Sequence, residues 1–161
     1  MDNNNNYVNI LVDSLQKKME ILSEIIELNE QQKEIITKEK LDMDKLDENM
    51  RDKSELISRL NMLDDGFQSV FDRVKDELTT NKDKYQEEII RMQNCIKKIT
   101  EQSMNIQVEE QRNKVALEKQ FKNTRDGIKK ARMSSRMASD YYKGMTGMKA
   151  PVEPQFLDSK K

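Results

Sequence analysis

The sequence predicts an all-α protein, an elongated antiparallel helical bundle or coiled coil of three long helical segments with a flexible C-terminal tail. Three observations lead there. Apolar residues recur in alternating steps of four and three, the rule for helices packed side by side at a shallow angle. Residues 2–150 contain no Pro, and no Gly precedes Gly66, so the turn chemistry of a sandwich or barrel is missing. Hydrophobic residues make up 35% and charged residues 37% of the 161. Mean hydropathy that low would suit a disordered chain, but a net charge of −1 and the strong periodicity argue for a folded one.

Residues 1–6, Met1-Asp-Asn-Asn-Asn-Asn, read as a polar N-terminal extension, and 7–144 as the helical bundle domain. The first helical segment, about 8–38, has the seam Val8, Val12, Leu15, Met19, Leu22, Ile26, Asn29, Lys33, Ile36. Leu11, Ile25, Leu28 and Ile35 widen that stripe, which implies more than one neighbouring helix. The break Thr37-Lys-Glu-Lys-Leu-Asp-Met-Asp44 offers Asp42 or Asp44 as a cap for the next helix. A connection this short makes the two helices antiparallel.

The second segment, about 43–78, keeps one phase through Leu46, Met50, Lys53, Ile57, Leu60, Asp64, Phe67, Phe71, Val74 and Leu78. Two of those seam positions are charged. Asp64-Asp65-Gly66 favours a break, because a helix-interior Gly costs about 1 kcal/mol relative to Ala, while the retained phase favours a continuous helix. Thr79-Thr-Asn-Lys-Asp83 is the next turn, with Asn81 or Asp83 as the cap.

The third segment, about 84–138, holds one phase through Tyr85, Ile89, Met92, Ile96, Ile99, Ser103, Ile106, Glu110, Asn113 and Leu117. Phe121, Thr124, Ile128 and Ala131 follow, slipped by one residue. An unbroken helix from Lys84 to Arg132 would span roughly 75 Å against roughly 45 Å for the first. Either the long helix overhangs the others or it breaks and folds back. Gln107–Lys114 carries one large apolar side chain, Val108, and reads as a weak point open to local opening. Gly144, Gly147, Pro151 and Pro154 end regular structure, leaving 145–161 as the tail.

Composition excludes several functions. With no His there is no Ser-His-Asp triad, Cys-His pair or His-ligated zinc. The single Cys95 allows no internal disulfide and fits a reducing cytoplasm, where it serves as a packing residue. No P-loop, GxGxxG or nucleophile elbow occurs, and no apolar run suggests membrane insertion. The chain is therefore expected to be neither an enzyme nor a cofactor or metal binder.

Three features could carry a binding function. The stripe Leu117, Phe121, Thr124, Ile128 and Ala131, with Met133 and Met137 beyond, lies past the reach of the shorter helices. It suits either core packing against a folded-back helix or a helix-on-helix contact with another protein, to which flexible Met side chains adapt. Residues 112–161 carry 13 Lys/Arg against 5 Asp/Glu, an excess that is either a solvated face or a surface for an acidic protein. Nucleic acid is disfavoured because only Phe121 is interleaved with the basic residues. Tyr141 and Tyr142 are further aromatic anchors, as are Phe156 and Leu157 in the tail.

Several stretches carry a family likeness: Glu39-Lys-Leu-Asp-Met-Asp-Lys-Leu46, Glu55-Leu-Ile-Ser-Arg-Leu60 and Ile106-Gln-Val-Glu-Glu-Gln-Arg-Asn113. The segments Ala138–Tyr142 and Gln155–Lys161, with Phe156-Leu-Asp-Ser-Lys160, are the most specific of these. The whole pattern resembles the FlgN-like flagellar export chaperones in their clostridial form. The resemblance implies a cytoplasmic, non-enzymatic chaperone of flagellar type III secretion. Such a protein keeps hook-associated (hook–filament junction) subunits unpolymerised and hands them to the export apparatus. It also implies that the C-terminal helical region binds the client, here Leu117, Phe121, Thr124, Ile128, Ala131, Met133, Met137, Tyr141 and Tyr142. A chaperone of the filament cap protein and a structural coiled coil that forms a homodimer through the same seams are the competing readings.

Overall fold

A computed structural model of the chain describes residues 3–121 together with Lys129, Arg132, Met133, Arg136, Asp140 and Tyr141. Three helices, α1 (Asn3–Thr37), α2 (Met43–Thr80) and α3 (Gln86–Gln120), hold almost all of the described residues, with no strand among them. At 35, 38 and 35 residues the rods match, each roughly 52–57 Å long. α1 packs along both α2 and α3.

The seams close much as their spacing requires. Of the four widening residues on α1, Leu11 and Ile25 are fully buried, because this helix faces both others, while Leu28 and Ile35 are half-buried. Near its end the inward position belongs to Gln32, and the expected seam residue Lys33 is exposed. On α2 every seam residue is buried except Met50 and Asp64, which are half-buried. On α3 all of Tyr85 to Leu117 in the seam are buried except Ile96.

α2 runs through Asp64-Asp65-Gly66 without a break. Leu60 and Phe67 on either side are in the core, and Asp64 is held by Lys18 of α1 at 2.8 Å. Asp42 caps α2, its carboxylate accepting from the Lys45 amide at 3.2 Å. Neither Asn81 nor Asp83 caps α3. Asn81 is the C-cap of α2, and the N-cap of α3 is Tyr85. Tyr85 earns that place by packing: its ring is buried and its hydroxyl donates to Glu77 Oε2 at 3.0 Å. Glu87 and Glu88 then complement the N-terminal dipole of α3.

Two expected boundaries move. α1 begins at Asn3, so most of the polar extension is helical. α3 stops at Gln120 and not near residue 138, with Phe121 as its C-cap. The stop has a packing cause: Leu117 meets Ile36 and Leu46 at the α1–α2 connection, where the body ends. Gln120 Nε2 donates to the Ile36 carbonyl at 2.7 Å, closing that end.

Gln107–Lys114 is continuous helix, and its anchor is polar. Lys53 Nζ lies 2.9 Å from both carboxylate oxygens of Glu110 and 3.1 Å from Asn29 Oδ1. Asn113 donates to the Asn29 carbonyl and to Gln32 Oε1, each at 3.1 Å. Gln32 donates to Asn49 Oδ1 at 3.1 Å, and Asn49 to the Leu28 carbonyl at 2.8 Å. This layer divides the interior into a large apolar cluster, from Val8 to Ile106, and a small one of Ile36, Leu46 and Leu117.

Candidate partner-binding surfaces

The C-terminal region does not project beyond the other helices at the positions the structure describes. Leu117, the first residue of the expected docking stripe, is only 2% exposed, since Ile36 and Leu46 cover it. Phe121 is half-buried against the same small cluster. Twenty residues later, Tyr141 lies back at the middle of the body. Its hydroxyl donates to Asp64 Oδ2 at 2.6 Å, and Lys18 Nζ stands 5.9 Å from its ring centroid. Asp64 is thus gripped from two sides, by Lys18 at Oδ1 and by Tyr141 at Oδ2.

Leu46 to Asp64 is 18 residues of α2, roughly 27 Å, which sets how far the chain has returned. The reversal has a second tether, Arg132 Nε to Glu118 Oε2 at 3.2 Å. Lys129, Arg132, Met133 and Arg136 are helical and exposed, Met133 to 62%. The exposed Arg132–Glu118 pair contributes only about 0–1 kcal/mol. Thr124, Ile128, Ala131, Met137 and Tyr142 lie outside the described residues, as do the tail positions 145–161.

A family model described as FlgN protein matches residues 1–141. The chain belongs to the FlgN family. No curated protein and no solved structure matches it. FlgN proteins are flagellar export chaperones, a family of binding proteins and not of enzymes. In this FlgN protein the matched region ends at Tyr141, so it takes in the returning segment together with the bundle. No helix among the described residues is long and apolar enough to cross a membrane.

One surface of this FlgN protein escaped the sequence reading. An open groove of about 640 Å³ runs between the outer faces of α1 and α2. Ile10 and Ile21 line it from α1, and Met62, Leu63 and Val70 from α2, with Gly66 among them. Met62 is 74% exposed. The signal was present in the 4-4 spacing of Met62, Gly66 and Val70, but the stronger seam on the opposite face of α2 hides it. Burial also raises the Cys95 thiol above its ordinary value, consistent with a packing role.

Proposed function

We propose that this chaperone binds hook-associated, hook–filament junction subunits in the cytoplasm through its C-terminal helical region and delivers them unpolymerised to the export apparatus. Filament-forming subunits carry long amphipathic terminal helices that would pair with one another, so a carrier must cover their apolar faces. The observation that supports the reading is that this region offers apolar side chains off the core: Met133 is 62% exposed and Phe121 is half-buried. The region's described links to the body are the Tyr141–Asp64 hydrogen bond, the neighbouring Lys18 and the exposed Arg132–Glu118 pair. Phe121, Ile128, Met133, Met137 and Tyr142 are the anchors offered, with Thr124 and Ala131 between them. Leu117 and Tyr141 join them only when the segment lifts, because Leu117 is core in the closed chain.

The test is Phe121→Asp combined with Ile128→Asp, read by co-purification with a hook-associated subunit. Capture is lost while the far-ultraviolet circular dichroism stays helical. Met133→Asp, at an exposed side chain, weakens capture without any effect on the melt. Undiminished capture by all of these variants refutes the assignment.

A further inference from the structure

The outer α1–α2 groove has no part in the C-terminal reading. Met62, Gly66 and Val70 follow one another every four residues, so they share one face of α2. Asp64, where Tyr141 docks, lies about 200° round the helix from Met62. The Tyr141 contact and the groove therefore sit on different sides of α2.

Three observations describe what the groove would take. It follows α1 from Ile10 to Glu24, roughly 21 Å or four helical turns, where Ile10 and Ile21 stand among Ser14, Lys17 and Glu20 and face Met62, Leu63 and Val70 of α2. A Cβ built on Gly66 would meet nothing within 4 Å among the described residues, so neither their packing nor the backbone conformation calls for glycine there. Glycine in a helix interior is unfavourable relative to almost any other residue, yet it suits the close approach of another backbone. Beyond Glu24 the same cleft continues toward the α1–α2 connection and turns acidic. Glu27, Asp52 and Glu55 line its next stretch, then Glu34 and Glu48. Arg59, Lys38 and Lys45 only partly balance these carboxylates.

We propose that this cleft docks an amphipathic helix of another protein, apolar for about four turns over Gly66 and rich in Lys and Arg over the turns that follow. The apolar stripe fills the groove floor, and the basic half lies along the carboxylates. Mixed apolar and charged complementarity of this kind fixes the direction in which the helix lies. The site stands whether or not the C-terminal region binds the client.

The probe is a fluorescein-labelled synthetic peptide of roughly 24 residues, with Leu at helical spacing in its first half and Lys in its second. Fluorescence anisotropy with the full chain should show saturable, salt-sensitive binding. Gly66→Gln should weaken it at least about tenfold, while melting at the same or a higher temperature. A merely structural glycine could not give that pair of results. Met62→Asp, on an exposed side chain, should give the same loss. Glu27→Lys with Glu55→Lys should weaken binding and flatten its salt dependence.

Equal affinity of the Gly66→Gln chain, or equally tight binding of a peptide with Glu in place of Lys, overturns the proposal. A benzophenone photo-crosslinker at position 62 distinguishes the occupants. Capture of the peptide's Leu-rich half supports the site. Crosslinking to a second copy of the chain, or to the chain's own residues 142–161, overturns it. None of these measurements uses a hook-associated subunit, so failure here is separate from failure of the client assignment.

Discussion

The buried Lys53–Glu110 pair offers the sharpest test of how the body holds together. Glu110→Leu replaces the carboxylate with an apolar side chain of similar size. It leaves the Lys53 ammonium, whose side chain is 0% exposed, with Asn29 Oδ1 as its remaining acceptor. Breaking a buried ion pair in this way costs about 3–5 kcal/mol, a large share of a total stability of about 5–15 kcal/mol. Lys53→Met strands Glu110 by the same logic and costs a similar amount. The double variant behaves differently. Replacing both charges removes their desolvation penalty, a change that is often neutral or stabilising by about 1–4 kcal/mol. Asn29 Oδ1 then loses its donor, which costs about 1–3 kcal/mol, so the net change is near zero. Urea titration followed by circular dichroism is the assay. With a slope of about 2 kcal/mol per molar, each single variant lowers the midpoint by roughly 2 M and the double leaves it nearly in place. The interaction energy from the cycle, the double minus the sum of the singles, is then about 6–10 kcal/mol in magnitude. Singles that shift the midpoint by less than about 0.5 M, or a double as unstable as the two singles summed, refute the claim that this pair acts as one buried unit.

Other expectations follow from single contacts. Leu117→Ala opens a cavity in the small apolar cluster and should cost about 2–5 kcal/mol in the same titration, whereas Met133→Ala should stay within about 0.5 kcal/mol. Tyr141→Phe removes the hydroxyl that Asp64 accepts, while Lys18 still pairs with the carboxylate. The loss, about 1 kcal/mol, should speed amide exchange around residues 132–141 roughly fivefold with little change in the global melt. Cys95 should resist a thiol reagent in the native chain and react once urea unfolds it. Because burial raises its pKa in the folded state from the ordinary 9.0, the stability tied to the neutral thiol is complete below that value and declines as pH rises past it.

The heptad phases made the three rods and nearly all of their buried faces legible, including the awkward members. Lys53, Glu110, Asn113 and Asn29 each stand at a seam position, and each is buried. Their meeting in one layer could not be read, because spacing along a helix says which face a residue takes and not its height against another helix. For the same reason Gln107–Lys114 looked weak: its anchor is the partner of a lysine 57 residues away. The end of α3 was visible only as a one-residue slip in phase after Leu117. Length alone left an overhang and a break with a fold back both open, and the shared length of the three rods ends α3 at Gln120. The outer groove was hidden because two apolar residues and a glycine at every fourth position, Met62, Gly66 and Val70, are a weak pattern beside a ten-residue seam.

The polar layer also bears on how a chaperone can release one end without losing its fold. On one side lies the large cluster, to which all three helices contribute. On the other, Ile36, Leu46 and Leu117 contribute about 5–9 kcal/mol gross at roughly 1.5–3 kcal/mol each, before the entropy of ordering the connection. Between them every apolar contact path is interrupted by Lys53, Glu110, Asn29 and Asn113, whose bonds hold only at fixed heights. Sliding one helix past another would strand a buried charge, so the layer locks register. Fraying of the small cluster, by contrast, costs the layer nothing until it reaches Asn113. α3 ends at that weak end, three residues past Leu117. On the proposed reading, a client helix that engages the C-terminal region works first on this small cluster, which the lock separates from the large one.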